Sequence, residues 1–401
     1  MGIVSLFAGV GGIDVGLRHH NPDLHMLLAC DINKDSQKVL QSQFPCVPIH
    51  DDVKTLNELP KGTTVVSAGS PCTDLSSLGM CKGIHGPASS LVNEVFRLVE
   101  GCDTVETVVL ENVANIFRLN DSEGVRHVVD NFDRLGFDWA YRVLNSASFG
   151  LPQNRRRFLI VATRGSRPPP TWFLSQREWY QNRRHKVTEE EFEKKGWAGF
   201  YVTEGRNGCA FRAGTVPTLK CNGNGLKHTN GFNPHAILLH TPRERDGKRV
   251  LKLHPDDAER AQGFPVGWTN AAGIQARRLA RLGNACPVVF AEFVGMGMAG
   301  LLDGVPLPDP DPRLGKGKNL PHCGLSVKGK RSFYDVSEAA HEMVLSLLKC
   351  ETGAETSRLL RSEECLPVSE RSILGFLRRA EGGRSAMPEW ALDILKKESG
   401  V

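Results

Sequence analysis

The chain has 401 residues, 40% hydrophobic and 24% charged, which is an ordinary globular composition for two or three domains. Lys and Arg number 50 against 45 Asp and Glu, and the formal net charge of +5 permits binding to nucleic acid without requiring it. The 11 cysteines include no C-x-x-C pair, and no segment approaches the roughly 20 apolar residues of a membrane span. We therefore expect no zinc cluster, no metal site, no disulfide framework and no membrane insertion.

The first 165 residues alternate short β-branched runs with helical patterns. The opening MGIVSLFAGVGG has the pattern of a buried strand entering a turn, and it lacks the basic start of a signal peptide. The runs predict strands at 3–7, 26–31, 63–72, 107–113 and 156–164, with a helix over about 34–44. Strands separated by helices are typical of an α/β fold with a doubly wound, mostly parallel sheet.

The residue composition and periodicity of the chain change near Gly165, where the segment RPPP interrupts regular structure. Beyond it Gly, Asn and aromatic residues are common and helical periodicity is poor, which predicts a second, smaller domain. We predict a first domain over 1–165 completed by 270–303, a small irregular domain over 166–269, a Pro-rich linker over 304–321 and a helical C-terminal extension over 322–401.

A glycine-rich turn follows the first predicted strand. A strand, such a turn and a helix together bring backbone N–H groups against a nucleotide-like ligand. The spacing is not that of the G-x-G-x-x-G dinucleotide fingerprint, because Asp14 stands where the third glycine would be. Asp31, after the second strand, either hydrogen-bonds two ribose hydroxyls or caps the next helix, and spacing leaves both open. The glycines of the turn are Gly9, Gly11, Gly12 and Gly16.

Polar side chains of three kinds stand at the ends of neighbouring predicted strands. Cys72, in GSPCTDLS, follows a buried strand and is stiffened by Pro71; it is either a reactive thiolate or a small buried thiol. Glu111 ends the run VVLENV, where a carboxylate is costly unless it is used or paired. Arg155 and Arg157 open the next strand, and the alternative role of Glu111 is an ion pair with these arginines. A thiol, a carboxylate and guanidinium groups at one sheet edge predict a catalytic site.

The motifs resemble those of the DNA (cytosine-5) methyltransferases. The matching blocks occur in the family's order across about residues 1–302, and RAGTVPTLKCNGNG and LKLHPDDAERAQGFP resemble the segment before the last block. The resemblance implies a Rossmann-like methyltransferase in which the small domain recognises the target. The blocks are SLFAGVGGIDVGL (5–17), GSPCTDLS (69–76), ENV (111–113), FGLPQNRRRFLIVA (149–162) and RLGNACPVVFAE (281–292).

The resemblance also implies S-adenosylmethionine as cofactor. Phe7, Gly9 and Gly11 would line its pocket, with Phe7 against the adenine. Asp31 would hold the ribose hydroxyls, and Ile32 would pack on the base.

Two further residues complete the implied cofactor site. Asp52 in HDDV would contact the adenine amino group, with Asp51 as the alternative. Asn284 would return to the methionine end of the cofactor.

For catalysis the resemblance implies Cys72 as the nucleophile and Glu111 at the cytosine edge. Arg155 and Arg157 would support the base and the thiolate, and the substrate would be duplex DNA with the cytosine flipped out of the helix. Many relatives carry an Arg-Gly-x-Leu pattern after the cysteine loop, whereas this chain has Ala88–Leu91, ASSL. This departure bears on turnover rate more than on reaction type.

Three other functions are weighed against this one. The same chemistry on tRNA is less expected, because the RNA branch of the family carries a Cys-Phe-Thr tripeptide that this chain lacks. A catalytically silent DNA-binding relative and a dinucleotide-dependent oxidoreductase fit the motifs less well. We expect an intracellular protein, nuclear if eukaryotic and cytoplasmic if bacterial.

Two basic runs, 155–186 and 243–252, are candidate contacts for DNA phosphates, although an acidic run from Glu189 to Glu193 follows the first. For the interleaved aromatic residues, such as Trp172 and Phe173, we favour a place in the core. The extension over 322–401 is expected either to pack on the core or to bind a protein partner.

Overall fold

The computed structural model describes residues 1–71, 91–174, 187–202, 209–219, 236–244, 246–304, 307, 309–317, 319–334, 368, 373–374, 377 and 387–400. Its strands are β1 (Gly2–Leu6), β2 (His25–Cys30), β3 (Ile49–His50), β4 (Thr63–Gly69), β5 (Thr107–Val113), β6 (Asp138–Asn145), β7 (Gln153–Asn154), β8 (Arg156–Thr163), β9 (Trp197–Val202), β10 (Cys209–Ala213), β11 (Val216–Pro217), β12 (Ala236–Leu239), β13 (Val250–Lys252), β14 (Cys323–Val327) and β15 (Lys330–Phe333). Its α-helices are α1 (Gly12–His19), α2 (Lys34–Gln43), α3 (Val92–Glu100), α4 (Glu123–Arg134), α5 (Glu189–Lys195), α6 (Pro255–Gln262), α7 (Gln275–Asn284), α8 (Val288–Met298) and α9 (Glu389–Glu398).

The chain divides into two compact units. The first comprises Met1–Ser148, Arg156–Trp179 and Ala285–Lys349; the second comprises Phe149–Arg155, Tyr180–Asn284 and Cys350–Val401. This differs from the predicted organisation. Residues 270–284 fall in the second unit, 166–179 fall in the first, and the predicted extension over 322–401 is shared between the two.

The first unit is built on a nine-stranded sheet in the order β15-β14-β6-β8-β5-β4-β1-β2-β3. Strands β1 to β5 pair in parallel with one another, which confirms the α/β fold with a mostly parallel sheet. Strand β5 coincides with the predicted run at 107–113, whereas β4 ends at Gly69 and not at the predicted residue 72. The Pro71-Cys72 pair therefore follows the strand end.

Strand β8 runs antiparallel to both of its neighbours, β5 and β6. Its first residues consequently lie at the edge where β5 ends, with Arg157 opposite Val113. The sequence predicted β8 but not β6, because Asp138, Arg142 and Asn145 interrupt its apolar pattern. Arg142 is nevertheless buried, and its guanidinium donates to the carbonyl of Phe173 at 3.3 Å.

The sheet ends in a hairpin of β14 and β15, where we expected a helical extension. Its two-residue turn, Lys328-Gly329, has both φ angles positive (50° and 75°), as a type I′ turn requires. Arg331 closes the edge with ion pairs to Asp130 and Asp133, each at 2.6 Å. The sequence signals for this hairpin, which the helical prediction missed, were the glycine of the turn and the short runs of alternating side chains on either side of it.

Helix α1 packs against α8 with very little space between the backbones. A Cβ on Gly16 would lie 2.4 Å from the carbonyl oxygen of Val288, and a Cβ on Gly295 would lie 2.8 Å from that of Leu17. Trp172 and Phe173, which we expected in a core, are buried, and both rings contact Phe293 of α8. Glycine at these two positions thus permits the close approach of α1 to α8.

The second unit contains an antiparallel sheet in the order β10-β9-β12-β13 and a short parallel pair of β7 and β11. We expected an irregular domain here. Its apolar core is shared between the sheet and the C-terminal part of the chain: Phe192, Phe200, Phe211, Leu238 and Val250 lie in one cluster with Val368, Ile373, Leu377, Met387, Ala391 and Leu395.

Specific contacts join the C-terminal residues to this sheet. The amide of Val368 donates to the carbonyl of Val250 at 3.0 Å, and the Trp390 ring centroid lies 4.9 Å from that of Phe192. The amide of Arg249 donates to the carboxylate of Glu398 at 3.3 Å. The described part of 368–400 is therefore a component of the second unit. Of the two alternatives expected for the extension, these residues take the first, which is packing on a core.

Among the described residues, no single helix is both long and apolar enough to cross a membrane. The pair α7 and α8 meets the criterion of length and composition only when the two helices are counted together.

We predict that Leu395→Ala destabilises the second unit by about 2–5 kcal/mol, because a buried leucine is replaced by a cavity. Hydrogen exchange measured peptide by peptide should show faster exchange in β9 and β12 and unchanged exchange in β1 and β4. Lys397→Ala, on the exposed face of the same helix, is the matched control. Unaltered exchange of β9 and β12 in the leucine variant would contradict the shared core.

Candidate active site

The turn after β1 adopts a conformation that few residue types tolerate. Gly9 and Gly11 have φ angles of 58° and 83°, and Phe7 has a φ of 51°, which costs a residue with a side chain roughly 1–2 kcal/mol. A Cβ on Gly11 would meet the Phe44 ring at 2.8 Å, whereas a Cβ on Gly9 would meet none of the described residues within 4 Å. Within the part of the chain that the structure describes, the turn is packed at Gly11 and uncovered at Gly9.

Asp31 anchors this turn from the end of β2. Its carboxylate accepts from the amide of Gly9 at 2.8 Å and from the amide of Asn33 at 2.8 Å. Asn33 caps α2, since its side chain accepts from the amides of Asp35 and Ser36. The capping role considered for Asp31 therefore belongs to Asn33, and Asp31 is held beside the glycine turn.

Ile32 follows Asp31 and is 72% exposed. Its predicted packing on the cofactor's base stays a prediction.

Asp51 and Asp52 are distinguished by their partners. Asp51 accepts from the Lys34 ammonium at 2.8 Å and from the Gln37 amide at 3.0 Å, and the hydrogen bond from Lys34 lowers the pKa of Asp51. Asp52 accepts from the amide of Lys54 at 3.0 Å and so begins the short turn Val53–Thr55. Both carboxylates thus have partners, and the choice of Asp52 for the adenine stays a prediction.

Asn284 is the last residue of α7 in the second unit, and its side chain is exposed. Its predicted approach to the methionine end of the cofactor remains a prediction.

Glu111 and Arg157 meet at the edge of the sheet. The Glu111 carboxylate is 6% exposed, and its Oε1 lies 2.8 Å from Nε of Arg157. The ion pair weighed for Glu111 is thus formed, and it leaves a buried carboxylate at a strand end. A Cβ on Gly69 would lie 3.7 Å from Oε2 of Glu111 and 3.5 Å from the carbonyl oxygen of Phe7, so the carboxylate and the glycine turn flank the end of β4.

A second contact ties the end of β5 to the loop that follows β4. The side-chain amide of Asn112 donates to the hydroxyl of Ser70 at 2.8 Å, and both residues are buried. Its carbonyl oxygen accepts from the amide of Val113 at 2.7 Å. Asn112 therefore fixes the chain two residues before Cys72. Cys72 itself, with 73–90, lies outside the described residues.

Arg155 lies in the second unit and is fully buried. Its guanidinium donates to the carbonyls of Leu219 at 2.8 Å and Gly283 at 3.1 Å. These contacts join β7 to two other segments of its own unit. Its predicted support of the base and thiolate remains a prediction.

The basic runs are only partly available for phosphate. Arg183, Arg184 and Lys186 lie outside the described residues. In the run 243–252, Arg243 is paired with Asp246, and Arg249 donates to the carbonyl of Leu239 at 3.1 Å. These two arginines serve contacts within their unit, unlike the phosphate-facing loop that we expected.

Asp14 is a buried acid for which the sequence analysis found no role. It lies in the first turn of α1, and its carboxylate accepts from the hydroxyls of Ser5 in β1 at 2.7 Å and Ser67 in β4 at 3.0 Å. Burial is the largest effect and raises the pKa of Asp14 to about 6. The sequence did contain a signal for this buried acid, because Asp14 is the one charged residue in the run GGIDVGL. The contact ties α1 to the two strands that carry the glycine turn and the cysteine loop.

The parallel sheet, the open glycine turn and the buried acid at its edge define a Rossmann-like methyltransferase. The chain belongs to the C-5 cytosine-specific DNA methylase family, whose model matches residues 1–299. It is 33% identical over 305 residues to the Type II methyltransferase M2.BsuMI of Bacillus subtilis, covering 74% of each chain. It is 24% identical over 318 residues to M.NlaX of Neisseria lactamica, covering 76% of this chain and 97% of that protein.

Two solved structures share the fold. The Dnmt2 methyltransferase of S. pombe superposes with a TM-score of 0.50 at 15% identity, covering 75% of this chain and 99% of that one. The Entamoeba histolytica methyltransferase EhMeth superposes with a TM-score of 0.51 at 13% sequence identity, covering 76% of this chain and 99% of that one.

Enzymes of this family methylate cytosine in DNA with S-adenosylmethionine as donor, and this chain has the same reaction class and cofactor. The chain's own residues fit the cofactor. Among the described residues nothing covers Gly9, Asp31 accepts a hydrogen bond from its amide, and the exposed apolar side chain of Ile32 follows.

We predict that Asp14→Asn removes a pH dependence of folding. Below about pH 4 the carboxyl is protonated in both the folded and the unfolded chain, and its stabilising contribution is complete. As pH rises towards about 6, the unfolded chain ionises first and this stability is lost. At about pH 8 the wild type should therefore have lost about 3 kcal/mol that the asparagine variant keeps.

The test measures the difference in free energy of unfolding between the two proteins by urea titration across this pH range. Effects of other groups cancel in that difference. Asp23→Asn, an exposed acid of the same unit, is the control. A difference that does not change with pH would show that the buried carboxyl does not titrate as described.

Proposed function

We propose that this enzyme methylates carbon 5 of a cytosine flipped out of duplex DNA, through a covalent adduct with Cys72. The observation that carries the proposal is the buried Glu111 carboxylate, oriented by Arg157 at the strand end beside the cysteine loop. The contact between Asn112 and Ser70 supports it, since it tethers that loop to the same edge.

The residue types suit the chemistry of cytosine. Carbon 5 is a poor nucleophile, and addition of the Cys72 thiolate to carbon 6 makes it enamine-like. A carboxyl group at position 111, hydrogen-bonded to the ring nitrogen next to the exocyclic amine, would offset the charge that develops on the ring. S-adenosylmethionine supplies the electrophilic methyl group when it is bound. Loss of the proton from carbon 5 then breaks the bond to Cys72 and restores the aromatic ring.

Arg157 would act by holding Glu111. Its Nε reaches the carboxylate while one of its terminal nitrogens donates to the carbonyl of Arg156 at 2.8 Å. A guanidinium fixed at both ends orients the carboxyl group, so the cytosine edge would meet a preoriented hydrogen-bonding partner.

The substrate must leave the base stack before this chemistry is possible. The thiolate attacks the face of the ring, and in a duplex both faces are covered by neighbouring bases. We therefore expect a flipped cytosine, held against Glu111 by the cysteine loop.

The decisive experiment replaces the nucleophile. Cys72→Ser should abolish methyl transfer from labelled cofactor to DNA and should abolish covalent trapping on DNA that contains 5-fluorocytosine. Cofactor binding should persist, because the serine changes one atom. Cys46→Ser, an exposed cysteine of the first unit, is the matched control and should behave as wild type.

Each outcome of this experiment is informative. An adduct formed by the serine variant would assign the nucleophile elsewhere. Wild-type transfer to tRNA in preference to duplex DNA would make tRNA the substrate, and no transfer to either would identify a silent relative.

A second experiment tests Asp31. Asp31→Ala should weaken S-adenosylmethionine binding by about 1–3 kcal/mol in calorimetry, since hydrogen bonds to a charged group are lost. Asp51→Ala is the control, because that carboxylate is bound to Lys34.

A deoxyribose analogue of the cofactor separates a ribose contact from anchoring of the turn. If Asp31 holds the ribose, the wild type discriminates against the analogue and the alanine variant does not. Equal discrimination by both proteins would restrict Asp31 to its contact with Gly9.

A further inference from the structure

A second cluster of ionisable groups lies at the far end of α1. Glu292 occupies the interior of α8, where residues 288–297 are all buried, and its side chain is 6% exposed. Burying a carboxylate is costly without a partner of opposite charge or a strong donor. The described groups that face it are His19 and His20, whose ring nitrogens lie 3.0 Å (Nδ1) and 3.4 Å (Nε2) from the same oxygen, Oε1.

The His20 nitrogen is not accounted for by this pairing. Within the described residues, Nε2 of His20 is buried and has no partner with hydrogen-bond geometry, although Glu292 lies 3.4 Å away. The Nδ1 of His19 already occupies the shared oxygen at 3.0 Å. A buried imidazole nitrogen this close to a buried carboxylate, without hydrogen-bond geometry, leaves room for a cation to bridge the two.

We propose that His19, His20 and Glu292 bind a divalent transition-metal ion of the zinc class. In a tetrahedral zinc site with bonds of about 2.0–2.2 Å, neighbouring ligand atoms lie about 3.3 Å apart. The two histidine-to-glutamate separations, 3.0 and 3.4 Å, bracket that value. The two histidine nitrogens lie within 4.8 Å of one another, and a shared ion requires them to approach more closely. Two imidazoles and one carboxylate are a ligand set that zinc uses in proteins.

The rings need one adjustment to share an ion. They are stacked, with centroids 4.8 Å apart and planes at 8°, so their lone pairs do not converge. His19 is 44% exposed and has room to turn, whereas His20 is 14% exposed and remains fixed. The fourth ligand is then water on the exposed side of His19.

The surroundings favour a cation. His19 is the last residue of α1 and His20 its C-terminal cap, where the helix dipole is negative. The ion would fasten α1 to α8 at the end of α1 opposite the glycine turn, and its role would be structural. Glu292 is distant in sequence from the adjacent His19 and His20, and the set lacks cysteine, so motif spacing could not predict it.

The test uses the full chain, stripped of metal with a chelator and titrated with Co²⁺ and with Zn²⁺. Wild type should bind one equivalent of Co²⁺ with the visible bands of a tetrahedral site and without thiolate-to-metal charge transfer. His19→Ala, His20→Ala and Glu292→Gln should each lose at least the roughly 10–100-fold of affinity that follows changes around a metal site. His25→Ala, an exposed histidine of the same unit, should bind as wild type.

The exposed His19 keeps the test independent of folding, because its loss leaves no cavity. Zn²⁺ should raise the unfolding temperature of wild type and of His25→Ala, but not of His19→Ala. Absence of a one-equivalent site in wild type would overturn the proposal. So would wild-type affinity in His19→Ala, or a spectrum with thiolate charge transfer, since the cysteines would then be the ligands.

Discussion

The buried ion pair between Glu111 and Arg157 depends on the direction of one strand. Glu111 stands near the carboxyl end of β5, where a parallel neighbour would also present its carboxyl end. Because β8 is antiparallel, it presents its first residues there, and Arg157 falls two positions from the residue opposite Glu111. Such diagonal neighbours are within reach of long side chains. The antiparallel strand thus supplies a cation that the parallel part of the sheet could not place at that edge.

The other contacts at this end of the sheet are also made by polar side chains that join one element to another. Asp31 holds the amide of Gly9, and Asn112 holds the hydroxyl of Ser70. Asp14 holds serines of β1 and β4 from behind the sheet. The buried contacts of Asn112 and Asp14 are stronger than the same contacts would be in water. The described residues at the starts of both loops are therefore held in place.

The sequence predicted the sheet well where strands are apolar and continuous, as in β5, and failed where polar residues are buried. Strand β6 was missed because Arg142 and Asn145 are buried through tertiary contacts that no local pattern records. The hairpin of β14 and β15 was predicted to be helical although Lys328-Gly329 is a turn signal. Glu111 and Arg157 were predicted as one cluster. The sequence alone could not decide whether Asp31 caps α2, because the cap is Asn33. Nor could it show that Asp51 pairs with Lys34, because that contact joins two different elements.

The shared core of the second unit has a consequence for the order of synthesis. The strands β9 to β13 leave the ribosome well before α9, yet Ala391 and Leu395 of that helix fill the core between them. Until translation reaches these residues, the apolar side chains of Phe192 and Phe200 lack their cover. The unit cannot complete its core until the residues of α9 have been synthesised. A nascent chain stalled before α9 would present an exposed apolar sheet face to chaperones.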